Sequence, residues 1–254
     1  KRCLPAQDSL SIWLPCRAVL ADCRHGFGKD IYDASVAQTC ISNLLAIGYR
    51  RFLIDIYWSV EQRNWILCPV AKPQDAQVVT VSTTRSPTAT ASAVTGTLTA
   101  VAAPSGSLLY ELGPYLCSDN LDLSGLVDIF AEHFRVTNSQ WNVYTTFITV
   151  NLHVASSTAS FDQPAASVTN EQLPLPSEYV SALFNARLST YIYRPSELAK
   201  ERKNLNESWY AVDDGYQPIT EYFTLHEDAN GKQSTPDGWP SSKYVQLAQE
   251  RRIF

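Results

Sequence analysis

The chain has 254 residues, a formal net charge of −5 and only 18% charged residues. Its 45% hydrophobic content is enough for one sizeable packed domain and too much for a disordered polar chain. The acidic balance excludes the electrostatic footprint of a nucleic-acid binder, and no window of eighteen apolar residues is present to span a membrane. The short basic clusters, Lys200–Lys203 and Arg251-Arg252, read as solvated helix faces. With Lys1 first and no Met in the sequence, a processed product is expected.

Residues 1–30 read as irregular. Ile31, Ala34, Ala37, Ile41, Leu44 and Leu45 then recur at helical spacing, predicting a helix over 31–47. Gly48 stands where that helix stops, because glycine takes the left-handed cap conformation without a Cβ penalty. Residues 50–57 and 63–68 read as two strands, the first an apolar run (Phe52, Leu53, Ile54, Ile56) with Asp55 inside it. A carboxylate in such a strand is costly unless paired or solvated in a cleft. The strand's C-terminal end is where α/β barrels place their sites. Asp55 is therefore the first functional candidate, with a structural pair to Arg50 or Arg51 as the plainer alternative.

From 77 to 107 the composition turns to Thr, Ser, Ala and Val with almost no charge. Such a tract reads as a flexible or sugar-bearing insertion, or as an edge hairpin built from VVTV and GTLTAV. Leu121–Phe134 is a predicted helix capped by Asp119 or Asn120. Tyr144–Val154 is a β-branched, aromatic strand that ends in Asn151 and His153, in phase with each other. Pro176-Ser177-Glu178 opens a helix through Phe184, Gly238-Trp239-Pro240 is a turn, and Ser241–Arg251 is a short helix. Arg252-Ile253-Phe254 looks like the start of a strand. Helix, strand, helix, strand, helix and an aborted strand predict the N-terminal half of an α/β barrel in a single domain, 1–254.

The six cysteines (Cys3, Cys16, Cys23, Cys40, Cys68, Cys117) include no CxxC pair and have no zinc-like histidine spacing near them. Their even number favours disulfides in an oxidising compartment; reduced core cysteines are the alternative. Cys68 and Cys117 bracket the Thr/Ser-rich tract and are the best single pairing, closing a loop of about 50 residues, worth on the order of 4 kcal/mol in the chain-entropy model. Asn206-Glu207-Ser208 is the one glycosylation sequon.

The blocks NLLAIGYRRFLIDIYW, WILCPV (Trp65–Val70), ITVNLHVASS and DGWPSSKYVQLAQERR together resemble the fungal maintenance of telomere capping protein 6 family. The resemblance implies the N-terminal half of the lumenal part of a glycosylated, single-pass membrane protein of the secretory pathway or cell surface, anchored by a segment outside this chain. More distantly, the same blocks resemble phosphatidylinositol-specific phospholipase C-like phosphodiesterases, which implies a TIM-barrel-like fold. Those enzymes use two histidines. Their positions fall near Ala6-Gln7-Asp8-Ser9 and Leu67-Cys68-Pro69, where there is no histidine. A second acidic metal ligand would fall near Leu53, and one carboxylate is a poor site for a hard cation.

The resemblance thus carries the fold and not the chemistry. The expectation is a degenerate barrel that works by binding a membrane-protein client, a lipid headgroup or a glycan, with no catalytic residue, metal, cofactor or nucleic acid. Its candidate pocket is Asp55, Asn151 and His153. The alternative is an active phosphodiesterase or glycoside hydrolase using carboxylates at the barrel top. A lectin-like reading predicts an exposed Trp or Tyr beside the mouth. His25, Asp213-Asp214, Glu227-Asp228 and the aromatic stretch Trp209–Phe223 are lesser candidates, each more simply read as loop, solvated surface or core. Half a barrel leaves open sheet edges, so a second chain or a segment outside this one is expected to complete it.

Overall fold

The predicted helix–strand–turn–strand block organises the first part of the computed structural model, which describes residues 30–81, 97–103, 106–137, 145–161, 163–208, 223–240 and 253. A short strand β1 (Asp30–Tyr32) leads into helix α1 (Ala34–Ala46). Asp33 caps α1, its carboxylate accepting from the Ser35 amide at 2.8 Å. Gly48, at φ +93°, ends it as expected. The Tyr49 amide donates to the Leu44 carbonyl at 2.8 Å and the Gly48 amide to Leu45 at 3.1 Å, the paired bonds of a Schellman cap.

Strand β2 (Arg51–Ser59) follows and pairs antiparallel with β3 (Asn64–Ile66). Period-2 alternation puts Phe52, Ile54, Ile56 and Trp58 on one buried face. The Phe52 ring meets Phe130 edge-to-face at 5.2 Å. Phe130 lies on α2 (Leu123–Thr137), whose buried residues include Leu123, Leu126 and Val127. The cap of α2 is Asp122, whose Oδ1 accepts from the Gly125 amide at 2.8 Å, rather than Asp119 or Asn120. Asp119 instead pairs with Lys72 at 2.6 Å. Strand β8 (Phe147–Val154) lies on the other side of β2, giving a three-stranded sheet in the order β3-β2-β8.

A second sheet has the order β1-β7-β6-β5-β4, with β4 at Gln77–Val81, β5 at Thr97–Ala102, β6 at Leu108–Leu112 and β7 at Tyr115–Ser118. Both ends of the Thr/Ser-rich tract therefore enter a sheet. β4 and β5 pair in parallel, Val79 opposite Thr99, so they are not the antiparallel hairpin their alternation suggested. Residues 82–96 between them lie outside the described residues. The Cys68–Cys117 bond, expected from the sequence, joins the segment after β3 to β7 with its Cα atoms 6.1 Å apart. It sits in a cluster with Ile66, Val70, Leu98, Ala100, Tyr110 and Leu112. Cys40 is disulfide-bonded as well.

The chain divides into two compact units, Lys1–His133 with Ile148–Leu188, and Phe134–Phe147 with Ser189–Phe254. The first contains the sheets above. In it, Pro176–Glu178 forms a 3-10 turn, and helix α3 starts only at Val180 (Val180–Leu188). The second contains α4 (Pro195–Arg202), a 3-10 turn at Leu205–Glu207 and a hairpin of β9 (His226–Glu227) with β10 (Gln233–Ser234). Ile253 bridges Thr146 and Ile192, both in parallel, in keeping with the strand start read at the end of the sequence. Ser241–Arg251 lies outside the described residues.

Candidate functional site

The face of β2 opposite its buried one carries Leu53, Asp55 and Tyr57, all partly exposed. Asp55 is reached from β8, where Asn151 and His153 stand two residues apart and so project to the same side. The Asn151 Nδ2 donates to Asp55 Oδ1 at 2.9 Å, and His153 Nε2 lies 3.4 Å from the same oxygen. The Asp55 side chain keeps 28% exposure and His153 46%, so the group is reachable from solvent. Asp55 Oδ2 makes no hydrogen bond among the described residues. The three sequence candidates are thus one constellation. Arg50 instead donates to the carbonyls of Leu45 and Tyr49.

Tyr57 belongs to the same site. Its ring stacks on the His153 imidazole, with centroids 5.1 Å apart and planes 25° from parallel. Burial raises the Tyr57 phenol above its ordinary value, and the nearby Asp55 charge and Tyr115 push it the same way. The i+2 relation to Asp55 carried this residue in the sequence. Tyr57 also packs against the disulfide cluster, so one end of this face is sheltered while Asp55 stands at the edge of the cover.

Beside β2 and β3 lies a strap with no signature in the sequence. Trp58 Nε1 donates to the Gln172 carbonyl and Trp65 Nε1 to the Glu178 carbonyl, both at 2.8 Å. Arg63 grips the Glu178 carboxylate with two bonds, 2.7 and 3.2 Å. That guanidinium holds the Glu178 carboxyl below its usual range, with help from the Leu175 amide. Leu173, Leu175 and Tyr179 of this strap remain exposed.

The lesser candidates separate. Glu227 accepts from the Gln233 side chain, and Asp228 Oδ1 accepts from the Asn230 and Lys232 amides, so this acidic pair builds its hairpin. His25, Asp213-Asp214 and residues 209–222 of the aromatic stretch lie outside the described residues. Trp239 is 63% exposed and stacks with Arg202. Asn206 is exposed in the second unit. Among the described residues no group of three His, Cys, Asp or Glu side chains is placed to hold a metal ion, and no helix is long and apolar enough to cross a membrane.

Chemically, the Asp55 cluster offers a carboxylate acceptor, a carboxamide and an imidazole at one point on a half-open sheet face. Such a set recognises a polar, hydrogen-bonding ligand.

Two proteins called maintenance of telomere capping protein 6 are similar to this chain. That of Debaryomyces hansenii is 25% identical over 193 residues, covering 70% of this chain and 27% of the relative. That of Lodderomyces elongisporus is 22% identical over 165 residues, covering 62% and 23%. The chain therefore spans a minor part of the length of both. No solved structure matches it. Residues 27–254 match the family described as the MTC6 partial TIM-barrel domain, so the fungal relatives, the mixed α/β architecture and the sequence blocks agree: the chain belongs to that family.

Proposed function

We propose that this domain works by binding, and that the Asp55–Asn151–His153 cluster recognises neighbouring hydroxyls of a ring polyol, the chemistry shared by an inositol headgroup and a glycan. One observation carries the reading: Asp55 Oδ1 is held by an amide and an imidazole, while Oδ2 of a 28%-exposed carboxylate is left to accept from a ligand. Carboxylates and amides that are fixed by neighbours and still face solvent suit hydroxyl recognition, where each group accepts or donates without exchanging a proton. The setting we propose is the lumen of the secretory pathway or the cell surface, in a protein anchored to the membrane by a segment outside this chain. The phospholipase C-like half-barrel would be completed by that protein's remaining sequence or by a second chain. A telomere link, given by the relatives' name, would then be indirect.

The enzyme reading draws on one contact. A carboxylate next to an imidazole is how many proteins orient a general base, and Asp55 lies 3.4 Å from His153 Nε2. A phosphodiesterase needs a second proton carrier, and the sequence offers no histidine at either position where the distant enzymes place theirs.

The test is a calorimetric titration of the protein with myo-inositol 1-phosphate and, separately, with a high-mannose oligosaccharide, paired with a turnover assay on an inositol phosphodiester. Binding of one probe without turnover is expected, and the probe that binds assigns the source. Asp55→Asn and His153→Ala should each weaken binding about tenfold or more, which is about 1.4 kcal/mol. Turnover abolished by His153→Ala would establish the enzyme reading instead. No binding of either probe at millimolar concentration would remove the polyol reading.

A further inference from the structure

We propose that the Cys68–Cys117 disulfide controls the Asp55 cluster: with the bond formed the cluster binds its ligand, and with the bond reduced it binds poorly. Such control deepens the polyol-binding reading given above and rests on it. Contacts run without a break from the sulfurs to the carboxylate. The bond joins the segment after β3 to β7, inside the apolar cluster against which Tyr57 and Tyr115 pack. Tyr115 stands two residues before Cys117 on the same strand, and its ring meets Tyr32 of β1 edge-to-face at 5.9 Å. The Tyr57 ring in turn stacks on His153 at 5.1 Å, and His153 Nε2 lies 3.4 Å from Asp55 Oδ1. Among the described residues Tyr57 and Asp55 are the only partners of the His153 side chain, which is 46% exposed. The imidazole is therefore placed by one ring, and that ring by a cluster that the bond pins. A cross-link has two discrete states, bonded and open, which is what a switch requires. In the open state β7 is released from the segment after β3, Tyr57 loses its fixed support, and Asp55 keeps only Asn151 as a firm partner.

The bond also has a route of access. Cys68 and Cys117 are each 4% exposed, so a thiolate does not meet them from bulk solvent. Both line a cavity of about 20 Å³, together with Gln62, Lys72, Tyr110 and Asp119. That space holds a water and no thiol reagent. Lys72 ties three of its walls together: Nζ is 2.6 Å from Asp119 Oδ2 and 4.2 Å from the Tyr110 ring centroid. A partly exposed ion pair of this kind is weak, so it screens the bond without sealing it. The reductant is a dithiol. One of its thiolates attacks the sulfur of Cys68 or Cys117 and expels the other cysteine as a thiolate. The second thiol then closes on the mixed disulfide, the reagent leaves as a cyclic disulfide, and both cysteines end as thiols. Two electrons and two protons pass from the dithiol to the protein.

The experiment reads ligand affinity against the state of the bond. Myo-inositol 1-phosphate and a high-mannose oligosaccharide are each titrated into oxidised protein, into dithiothreitol-reduced protein and into the Cys68→Ser/Cys117→Ser pair. Thiol alkylation with peptide mapping reports which cysteines are open, and circular dichroism reports the fold. The serine pair leaves the Cys40 disulfide alone, which separates the two bonds. Opening the Cys68–Cys117 bond should weaken binding about tenfold, which is about 1.4 kcal/mol. Tyr57→Ala in oxidised protein should weaken it as much, and opening the bond in that variant should add little. The His153 ring protons, shielded by the Tyr57 ring, should lose that shielding in the nuclear magnetic resonance spectrum on reduction. Equal affinity in oxidised and reduced protein overturns the control and leaves the polyol reading standing. A full further loss on opening the bond in Tyr57→Ala overturns the route through Tyr57. The Tyr57→Ala arm keeps the disulfide, so it decides even where the serine pair does not fold: unchanged affinity there sinks the proposal. No binding of either probe by oxidised protein removes the polyol reading, and this control with it.

Discussion

One strand, β2, has two faces with opposite fates. On one, Phe52, Ile54, Ile56 and Trp58 are at most 2% exposed, packed against aromatic and aliphatic side chains. On the other, Leu53, Asp55 and Tyr57 stay partly exposed, and a carboxylate sits in the middle. The same backbone supplies both, so the difference comes from the side chains and from what covers them. Cover on the second face thins from Tyr57, which packs against the disulfide cluster, to Asp55, which meets solvent. A charged group is tolerated in a sheet only with that kind of access or a full set of partners. The buried face holds the fold, and the half-open face is free to act.

The contrast can be broken most severely from the buried side. Trp58→Ala removes a fully buried indole and leaves the Gln172 carbonyl without its donor. It should cost about 5 kcal/mol, near the upper end for a buried aromatic, read as a lower urea midpoint. Asp55→Ala should cost about 1 kcal/mol or less in the same assay, since its hydrogen bonds are part-exposed. A comparable loss at both positions would erase the distinction between the faces.

A second change acts on the cover itself. Replacing Cys68 and Cys117 together by serine opens a loop spanning a sequence separation of 49. It should lower stability by about 4 kcal/mol in the chain-entropy model. Because Tyr57 packs on that cluster, its amide neighbours should also exchange hydrogen faster, whereas the Phe52–Ile56 stretch should change less.

The smallest effect is the most local. The Tyr57 phenol is raised in the fold by burial, by Asp55 and by Tyr115. Its stabilising share is whole below the unfolded phenol value of 10.0 and is lost as pH rises through the higher folded value. Tyr57→Phe should therefore flatten the alkaline fall in stability. Asp55→Asn should bring the Tyr57 phenolate titration, followed by ultraviolet absorbance, closer to 10.0. An unchanged titration in Asp55→Asn would show that the two groups do not sense each other.

Much of this was legible in the chain because it depends on local period and spacing. Gly48 announces the end of α1, the alternation through β2 separates its faces, and the two-residue spacing of Asn151 and His153 places them on one side. What escaped depends on distant backbone. The strap at 172–178 is held by indole N–H groups reaching main-chain carbonyls, and any residue has a carbonyl to offer. The Thr/Val/Ala alternation of 77–107 suits a strand as well as a loop, and nothing in it distinguishes a parallel neighbour from an antiparallel one. Three polar residues, Asp119, Asn120 and Asp122, compete to cap α2, and the choice falls to Asp122 through geometry the local sequence does not encode.

The most direct test of the half-open face is a crystal structure of the protein soaked with myo-inositol 1-phosphate and, in separate crystals, with a high-mannose oligosaccharide. A ring hydroxyl is expected within hydrogen-bond distance of Asp55 Oδ2, with Asn151 and His153 beside it and no second carboxylate. An unoccupied face in both soaks, or either ligand seated elsewhere on the molecule, would contradict it.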